Sequence, residues 1–266
     1  MKDFRIVLAV LVAAFTGGGF ASCSKVGGDE SSAKEKKLVK FVYGGSESTF
    51  KYDAQGRLIQ MLGKSPASGL NEEYTYVWGE NTVDITLKMK IEGDETGEEL
   101  VETGTLNLKD GLATRISGDG MLLGRTAFTY DASDRLTGFV GFVSAISLTW
   151  DGDKMMSMRD AALTGSLSVL TYTYEPDIMT KGHNPLIALE LTTNYLFMAH
   201  PELAGISSQY LPSGRVRKDV MTDSQYTWIS DYTYEFDKDG YVTKIIDTCE
   251  INGEDAGDTV YALTWE

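Results

Sequence analysis

Three stretches of this chain repeat one pattern, and they decide the fold: Phe50-Lys51-Tyr52-Asp53-Ala54-Gln55-Gly56-Arg57-Leu58, Phe128-Thr129-Tyr130-Asp131-Ala132-Ser133-Asp134-Arg135-Leu136 and Tyr234-Glu235-Phe236-Asp237-Lys238-Asp239-Gly240-Tyr241-Val242. In each copy aromatic residues alternate with Thr, Lys or Glu, which is the period of two that a half-buried strand shows. The Asp-x-x-Gly or Asp-x-x-Asp that follows favours a tight turn, because Asp can accept hydrogen bonds from its own backbone and Gly tolerates a positive φ. Each copy therefore predicts a β-hairpin.

The pattern extends along the chain in weaker form. Degenerate copies occur at 74–83, 147–155 and 172–179, two more at 106–113 and 209–216, and Val260–Trp265 resembles the opening strand of a further unit. Consecutive hairpins make an antiparallel meander, here of about 14–16 strands. Because open twisted sheets rarely exceed about ten strands, the sheet is predicted to curl into a barrel-like or open-barrel form. The predicted fold class is all-β.

One segment departs from the strand pattern. Asn184-Pro185 is typical of a helix N-cap followed by Pro at the first helical position. Apolar residues at helical spacing follow, and Pro201 should end the helix at His200. The sequence thus predicts one short helix near 185–199, which packs across the sheet or closes one end of a barrel.

The N-terminus has the features of a secretory signal peptide over residues 1–22. Lys2 and Arg5 precede the apolar run Ile6–Phe15, which is too short to cross a bilayer as a helix. Phe20-Ala21-Ser22-Cys23 resembles the bacterial lipobox, in which the cysteine becomes acylated and N-terminal, although Phe20 departs from the usual Leu. We predict lipidation of Cys23; ordinary cleavage nearby with an unmodified cysteine is the alternative.

Residues 23–37 are predicted to be the acylated cysteine and a flexible tether that spans roughly 20 Å, and residues 38–266 a single hairpin-repeat domain. These features predict lipid anchoring to the outer membrane, with the periplasmic and the surface face both open. The second cysteine, Cys249, is interpreted as a buried, inert thiol, with a disulfide to Cys23 as the alternative.

Charge narrows the range of partners. The formal net charge is −15, and loss of Lys2, Arg5 and Asp3 with the signal peptide takes it to −16. So acidic a surface repels phosphate backbones, which excludes nucleic acid as the expected partner. A membrane contact through the anchor, a lipid, glycan or protein ligand, and a monomeric state are the expectations.

No catalytic or metal site is predicted, and no cofactor. The chain lacks the Gly-x-Ser-x-Gly, phosphate-loop and His-Glu-x-x-His motifs. His183 and His200 flank the predicted helix, where capping or exposure explains them. Calcium-like Asp237–Gly240 and Asp151–Asp153 coincide with predicted turns and lack the full ligand set. Four tryptophans are interpreted as sheet core, with stacking on sugars as the alternative: Trp78, Trp150, Trp228 and Trp265.

The lipobox, the polar tether and the Tyr-Asp-x-x-Gly-Arg-Leu hairpins together resemble a family of Bacteroidetes lipoproteins named domain of unknown function 4595. The hairpin unit also resembles the YD repeats of large bacterial shell-forming toxins. The first resemblance covers residues 38–266 and implies a porin-like, barrel-shaped antiparallel sheet, with no established catalytic residues to carry over.

Two functions follow as hypotheses. The first is a membrane-anchored envelope protein that acts as a non-enzymatic binding or scaffolding module. The alternative is a carboxylate-dependent hydrolase of envelope or dietary polymers, which would require a pocket with two close, perturbed acids. A barrel that itself spans the membrane ranks behind both, because it needs strands of about 9–11 residues and segments such as Phe50–Asp53 look shorter.

Overall fold

The computed structural model describes residues 35–93, 98–118, 120, 123–141, 144–162, 164–186, 195–206, 208–221 and 224–266. The predicted signal peptide, Cys23 and the tether up to residue 34 lie outside these residues, so the lipidation of Cys23 and the boundaries of the first two segments stay predictions.

The described strands are β1 (Leu38–Tyr43), β2 (Ser46–Tyr52), β3 (Leu58–Ser65), β4 (Leu70–Trp78), β5 (Thr82–Ile91), β6 (Leu100–Lys109), β7 (Leu112–Gly118), β8 (Thr126–Tyr130), β9 (Leu136–Val140), β10 (Ser144–Asp151), β11 (Lys154–Ala162), β12 (Leu167–Thr173), β13 (Ile178–Met179), β14 (Tyr210–Leu211), β15 (Gly214–Val220), β16 (Gln225–Phe236), β17 (Val242–Ile251) and β18 (Glu254–Trp265). Helix α1 spans Leu196–Ala199, and a 3-10 helix follows at Pro201–Ala204.

Sixteen of these strands form a closed antiparallel barrel, in which each strand pairs with its neighbours along the chain. Two pairings are exceptions: β12 pairs with β15, and β1 pairs with β18 through Phe41 opposite Leu263. The all-β class and the predicted strand number are confirmed. The expectation that Val260–Trp265 opens a further unit is wrong, because this strand closes the barrel against β1.

The three strong repeats form the same hairpin turn. In each, the Oδ1 atom of the Asp accepts two backbone N–H groups at 2.8–3.0 Å, from Gln55 and Arg57, from Ser133 and Arg135, or from Asp239 and Tyr241. At Asp53 and Asp131 these bonds help to lower the pKa against an opposing desolvation. At Asp237 the hydrogen bond from Lys36 lowers the pKa most, and the turn bonds add to it. The repeated sequence thus encodes a repeated turn.

We expect Asp131→Ala to lower the free energy of unfolding by about 1–2 kcal/mol, because it removes the side-chain oxygen that accepts both backbone N–H groups of the turn. Asp131→Asn is the matched control: its Oδ1 can still accept both N–H groups, and only the ion pair with Arg135 at 2.8 Å is lost, worth about 0–1 kcal/mol at a surface. Urea unfolding of both variants measures the difference. Equal losses would show that the turn bonds contribute little.

Two weaker repeats do not form hairpins, contrary to the sequence expectation. Residues 172–179 run from β12 into a long connection, and residues 209–216 lead back from it into β15. Within this connection β13 and β14 pair with each other, through Ile178 opposite Leu211. The local pattern was strand-like, but the residues between the two copies separate them.

This connection, residues 174–213, enters the barrel, and we call it the plug. Asn184 Oδ1 accepts the N–H of Leu186 at 3.0 Å, as an N-cap does, and the N–H of His200 bonds to the carbonyl of Leu196 at 2.8 Å. The predicted helix ends are therefore confirmed, with 187–194 outside the described residues. Plug residues with 0–6% exposure join the barrel core: Leu186, Leu196, Phe197, Leu203, Ala204, Ile206 and Leu211.

The plug enters the end of the barrel where the Asp turns lie, which we call the plug end. The opposite end, formed by connections such as β7–β8 and β15–β16, is the far end. Tyr195 of the plug donates its hydroxyl to Glu72 Oε1 at 2.8 Å, and Phe197 packs edge-on against Phe128 with ring centroids 5.6 Å apart. Both partners face inward from barrel strands, so the plug lies in the lumen.

Around β5 the barrel wall is apolar inside and largely polar outside, whereas a polar region lies inside the barrel near Arg217 and Asp219. In β5, Val83, Ile85, Leu87 and Met89 are buried, while Asp84, Lys88 and Lys90 are exposed. Membrane-spanning barrels show the reverse arrangement. As expected, several barrel strands are shorter than the about 9–11 residues of a spanning strand, such as β2 with 7 residues, although β16 and β18 have 12 each. Strand length alone therefore does not decide the question, and the facing of the side chains carries the argument. Within the described residues, no helix has the length and apolarity needed to cross a bilayer.

Candidate functional site

The two histidines belong to the plug and have structural partners. His200 Nε2 accepts the backbone N–H of Leu58 at 2.9 Å, and Nδ1 lies 2.8 Å from Glu202 Oε1. The ring of His183 packs edge-on against Trp265, with centroids 5.1 Å apart. His200 occupies the C-cap position of α1, as expected of a helix end, but the expected exposure is wrong, because its side chain is buried and joins the plug to β3.

Three of the four tryptophans have one repeated role. Trp78, Trp150 and Trp265 each donate the indole N–H at 2.7 Å to a carbonyl that begins the strand after an Asp turn, respectively that of Leu58, Leu136 and Val242. They are structural parts of the repeat, as the core interpretation expects. Among the described residues, no three His, Cys, Asp or Glu side chains cluster as a metal site would.

Trp228 differs from the others because it faces the lumen toward the far end, in a polar region. Its Nε1 atom is buried and has no hydrogen-bond partner among the described residues. Directly opposite it in the sheet lies Arg217, whose Nε donates to both oxygens of Asp219 at 2.9 and 3.0 Å. Two residues earlier on β15 lies Arg215. Its Nη2 atom donates to Ser230 Oγ at 3.1 Å and lies 3.7 Å from Asp247 Oδ2.

Asp160 and Asp219 are the acids of this region that could serve chemistry. Both pair with Ser168 of β12, from opposite sides. Burial raises the pKa of Asp160, the negative charge of Asp219 adds to the rise, and a bond with Ser144 opposes it. An acid with a raised pKa near a second acid that is paired with Arg217 is one arrangement that general acid catalysis can use.

Cys249 lies within β17, half-buried, and is a free thiol. Burial raises its pKa, which disfavours the reactive thiolate. This agrees with the interpretation of an inert cysteine, although the residue is less buried than expected.

A groove of about 550 Å³ lies on the outer face of the barrel across β5, β6 and β7, and we call it the outer groove. Its size falls within the roughly 300–1,000 Å³ of small-ligand sites. The strand register aligns its floor: Thr86 lies opposite Thr103, and Thr105 lies opposite both Asp84 and Ser117. Thr105 donates its hydroxyl to Asp84 Oδ1 at 2.7 Å. The floor is therefore a ladder of hydroxyl groups around one carboxylate.

Two glycines behind the outer groove leave room on the lumen side of the wall for Leu123. Gly104 and Gly118 lie opposite each other with no side chain toward the lumen. A Cβ on Gly118 would collide with the carbonyl oxygen of Leu123, which belongs to the β7–β8 connection. Leu123 is buried and its N–H bonds to Glu102 Oε2 at 2.9 Å. Leu123 thus lies against the inner face before β8 begins.

Two arginines border the outer groove. Arg115 is exposed on β7, and β7 pairs with β8 through Arg115 opposite Ala127 and Ile116 opposite Thr126. The same register places Arg125 beside Ser117. Within the described part of the chain, neither guanidinium makes an ion pair. On so acidic a chain, two unpaired arginines beside one hydroxyl ladder form a local positive site.

No sequence motif singles out these groove residues. The alternation Thr103-x-Thr105 indicates an outward polar face, but it does not show which strand contributes the arginine next to that face. That depends on the register of β7 with β8, across a connection with no turn motif.

No family model matches the chain, and no curated protein matches it. The resemblance to domain of unknown function 4595 and to YD repeats therefore stays a prediction. Among solved structures, the chain is similar to a porin-like protein from Bacteroides vulgatus ATCC 8482, with a TM-score of 0.35, 11% sequence identity, and coverage of 87% of this chain and 99% of that one.

Proposed function

We propose that this chain is an envelope lipoprotein, held at the outer membrane by acylated Cys23, that acts as a monomeric, non-enzymatic binding module. The observation that carries the proposal is the outer groove, a preformed polar recess on a rigid closed barrel. Its ligand is a saccharide, because a ladder of hydroxyls with one carboxylate matches the donors and acceptors of sugar hydroxyls.

The apolar half of the lumen is a less favourable ligand site than the outer groove, because it is already filled. Apolar plug residues fill the plug end, packed against inward-facing residues such as Phe128. A lipid chain would need to replace these contacts, and each buried large side chain contributes about 1.5–3 kcal/mol. The outer face is thus the better binding surface than the apolar half of the lumen.

The hydrolase alternative has one observation in its favour, the inward-facing pair Asp160 and Asp219 with the raised pKa of Asp160. The binding module is preferred because the outer groove offers a shaped recess at the surface, whereas this pair stands inside the wall.

The anchor is tested with Cys23→Ala. The wild-type chain is expected in the membrane fraction and labelled by radioactive palmitate, whereas the variant is expected in the soluble fraction and unlabelled. A variant that stays membrane-bound and labelled would overturn the lipidation of Cys23.

The binding function is tested on a glycan array with the soluble Cys23→Ala form. We expect binding to a subset of saccharides and its loss in Thr103→Trp, which fills the groove while keeping a residue favoured in strands. Thr171→Trp, at an exposed position of β12, is the matched control and should bind as before. No binding, or equal binding by both variants, would overturn the proposal. Shortening of a bound polymer that Asp160→Asn abolishes would establish the hydrolase instead.

A further inference from the structure

We infer that the outer groove binds a negatively charged saccharide, with its carboxylate or sulfate group held between Arg115 and Arg125. This inference rests on the proposed function and specifies the ligand class. It starts from the position of the two arginines at one side of the hydroxyl ladder.

Register brings both arginines to one place. Both arginines line the groove. Arg115 lies two residues before Ser117 on β7, and extending the β7–β8 register by one residue beyond Ile116 opposite Thr126 places Arg125 beside Ser117. Side chains at neighbouring and diagonal positions on one face of a sheet are within reach of each other when they are long. Both guanidinium groups can therefore contact one small anion above Ser117.

The charges of this region favour an anion over a neutral sugar. Two other arginines near the surface have acidic partners: Arg57 has Asp53 at 2.7 Å and Arg135 has Asp131 at 2.8 Å. At the groove, Asp84 is engaged by Thr105 instead. A guanidinium presents N–H donors in a fork that matches the two oxygens of a carboxylate or sulfate.

The rest of the groove selects a sugar rather than a simple anion. Thr86, Thr103 and Ser117 line the recess next to the arginines. Hydroxyl groups can both donate to and accept from the hydroxyls of a pyranose. An acid group at the arginines with a polyhydroxylated ring along the ladder accounts for both halves of the groove.

The test measures binding by isothermal titration calorimetry, with oligogalacturonate as the carboxylated probe, dextran sulfate as the sulfated probe and dextran as the neutral probe. We expect one or both charged probes to bind at least tenfold more tightly than dextran, and a preference between them identifies the acid group. Binding should weaken as salt rises, because exposed charges are screened over about 10 Å at 0.1 M.

The double variant Arg115→Ala/Arg125→Ala should lose tenfold or more in affinity for the charged probes. Arg159→Ala, an exposed arginine on β11 without an ion pair in the described residues, is the control and should stay within twofold of wild type. Since Arg115 and Arg125 are exposed, far-ultraviolet circular dichroism should confirm that the double variant keeps its fold.

Two results would overturn this inference: charged probes that bind no better than dextran, or a double variant that binds them like the wild type. If Thr103→Trp still abolishes binding in those cases, the saccharide-binding function stands and only the acidic ligand class fails. If neither charged nor neutral saccharide binds, the proposed function fails as well.

Discussion

Gly205→Ala is expected to lower the free energy of unfolding by about 3 kcal/mol or more, the largest loss we expect of a single substitution here. Gly205 has φ +62°, and a Cβ there would collide with the carbonyl oxygen of Asp134 and come within 2.9 Å of the Tyr130 ring. A left-handed backbone costs a non-glycine residue about 1–2 kcal/mol, and forced overpacking about 1–3 kcal/mol more. The collision falls where the plug meets the β8–β9 hairpin, since the carbonyl of Gly205 accepts the N–H of Leu136 at 3.1 Å.

Gly253→Ala is the control that separates the effect of the steric collision from the free-energy cost of a left-handed backbone. Gly253 has φ +85°, and a Cβ there would meet no atom within 4 Å. This variant should lose only the left-handed cost of about 1–2 kcal/mol. Both are measured by urea unfolding monitored by tryptophan fluorescence. Equal losses would show that the plug and the hairpin are not in the tight contact described.

Lowering the pH from 7 to 4 should reduce the free energy of unfolding of the wild-type protein, and by about 3 kcal/mol more than that of the His183→Gln variant. Burial lowers the pKa of His183 from 6.5 to about 4, and its Nε2 atom is buried, although part of the residue reaches solvent. In the unfolded chain the ring takes up a proton below about pH 6.5, whereas in the folded chain it does so only near pH 4. Stability is therefore lost as the pH falls between these values.

The comparison with His183→Gln isolates this effect, because Gln does not titrate. Carboxylates with lowered pKa, such as Asp237 at about 2, also lose their contribution on acidification, but they do so in both proteins. Unfolding midpoints in urea at pH 7, 5.5 and 4 provide the measurement. Parallel pH profiles for the two proteins would mean that His183 is not held neutral in the plug.

The hairpins could be predicted from sequence because their determinants are local. Asp131 and the backbone it binds lie within four residues, so a short window contains the whole turn. The start and end of the plug helix were predictable for the same reason, as Asn184, Pro185 and Pro201 act on adjacent backbone. Such short-range signals can be recognised without knowledge of the tertiary structure.

The plug and the outer groove depend on contacts that no short window contains. His200 bonds to Leu58 across 142 residues, so its role looked like that of an ordinary helix end. Arg125 is placed near Ser117 only by the β7–β8 register, which follows a connection without a turn motif. The sequence likewise does not show that residues 172–179 and 209–216 lie at the two ends of the plug. Their strand-like pattern is accounted for by β12, β15 and the small β13–β14 sheet, so it predicts hairpins instead.

The pairing of β1 with β18 has a consequence for the order of folding. Hairpins such as β2–β3 form between adjacent segments, and isolated hairpins form in about 1–10 μs. The seam between β1 and β18 joins strands more than two hundred residues apart, through Phe41 opposite Leu263 and Val42 opposite Ala262. Its entropic cost is that of closing a loop of that length, and contacts of large sequence separation slow folding.

Ring closure is therefore the late step, and β1 and β18 remain unpaired edges until it occurs. Unpaired edges are sites where chains associate wrongly. The edge of β1 is short, with six residues, whereas that of β18 has 12, so β18 is the longer site for such association while the chain is still an open sheet. The time that the protein spends vulnerable to aggregation is thus set by a single seam rather than by its sixteen strands.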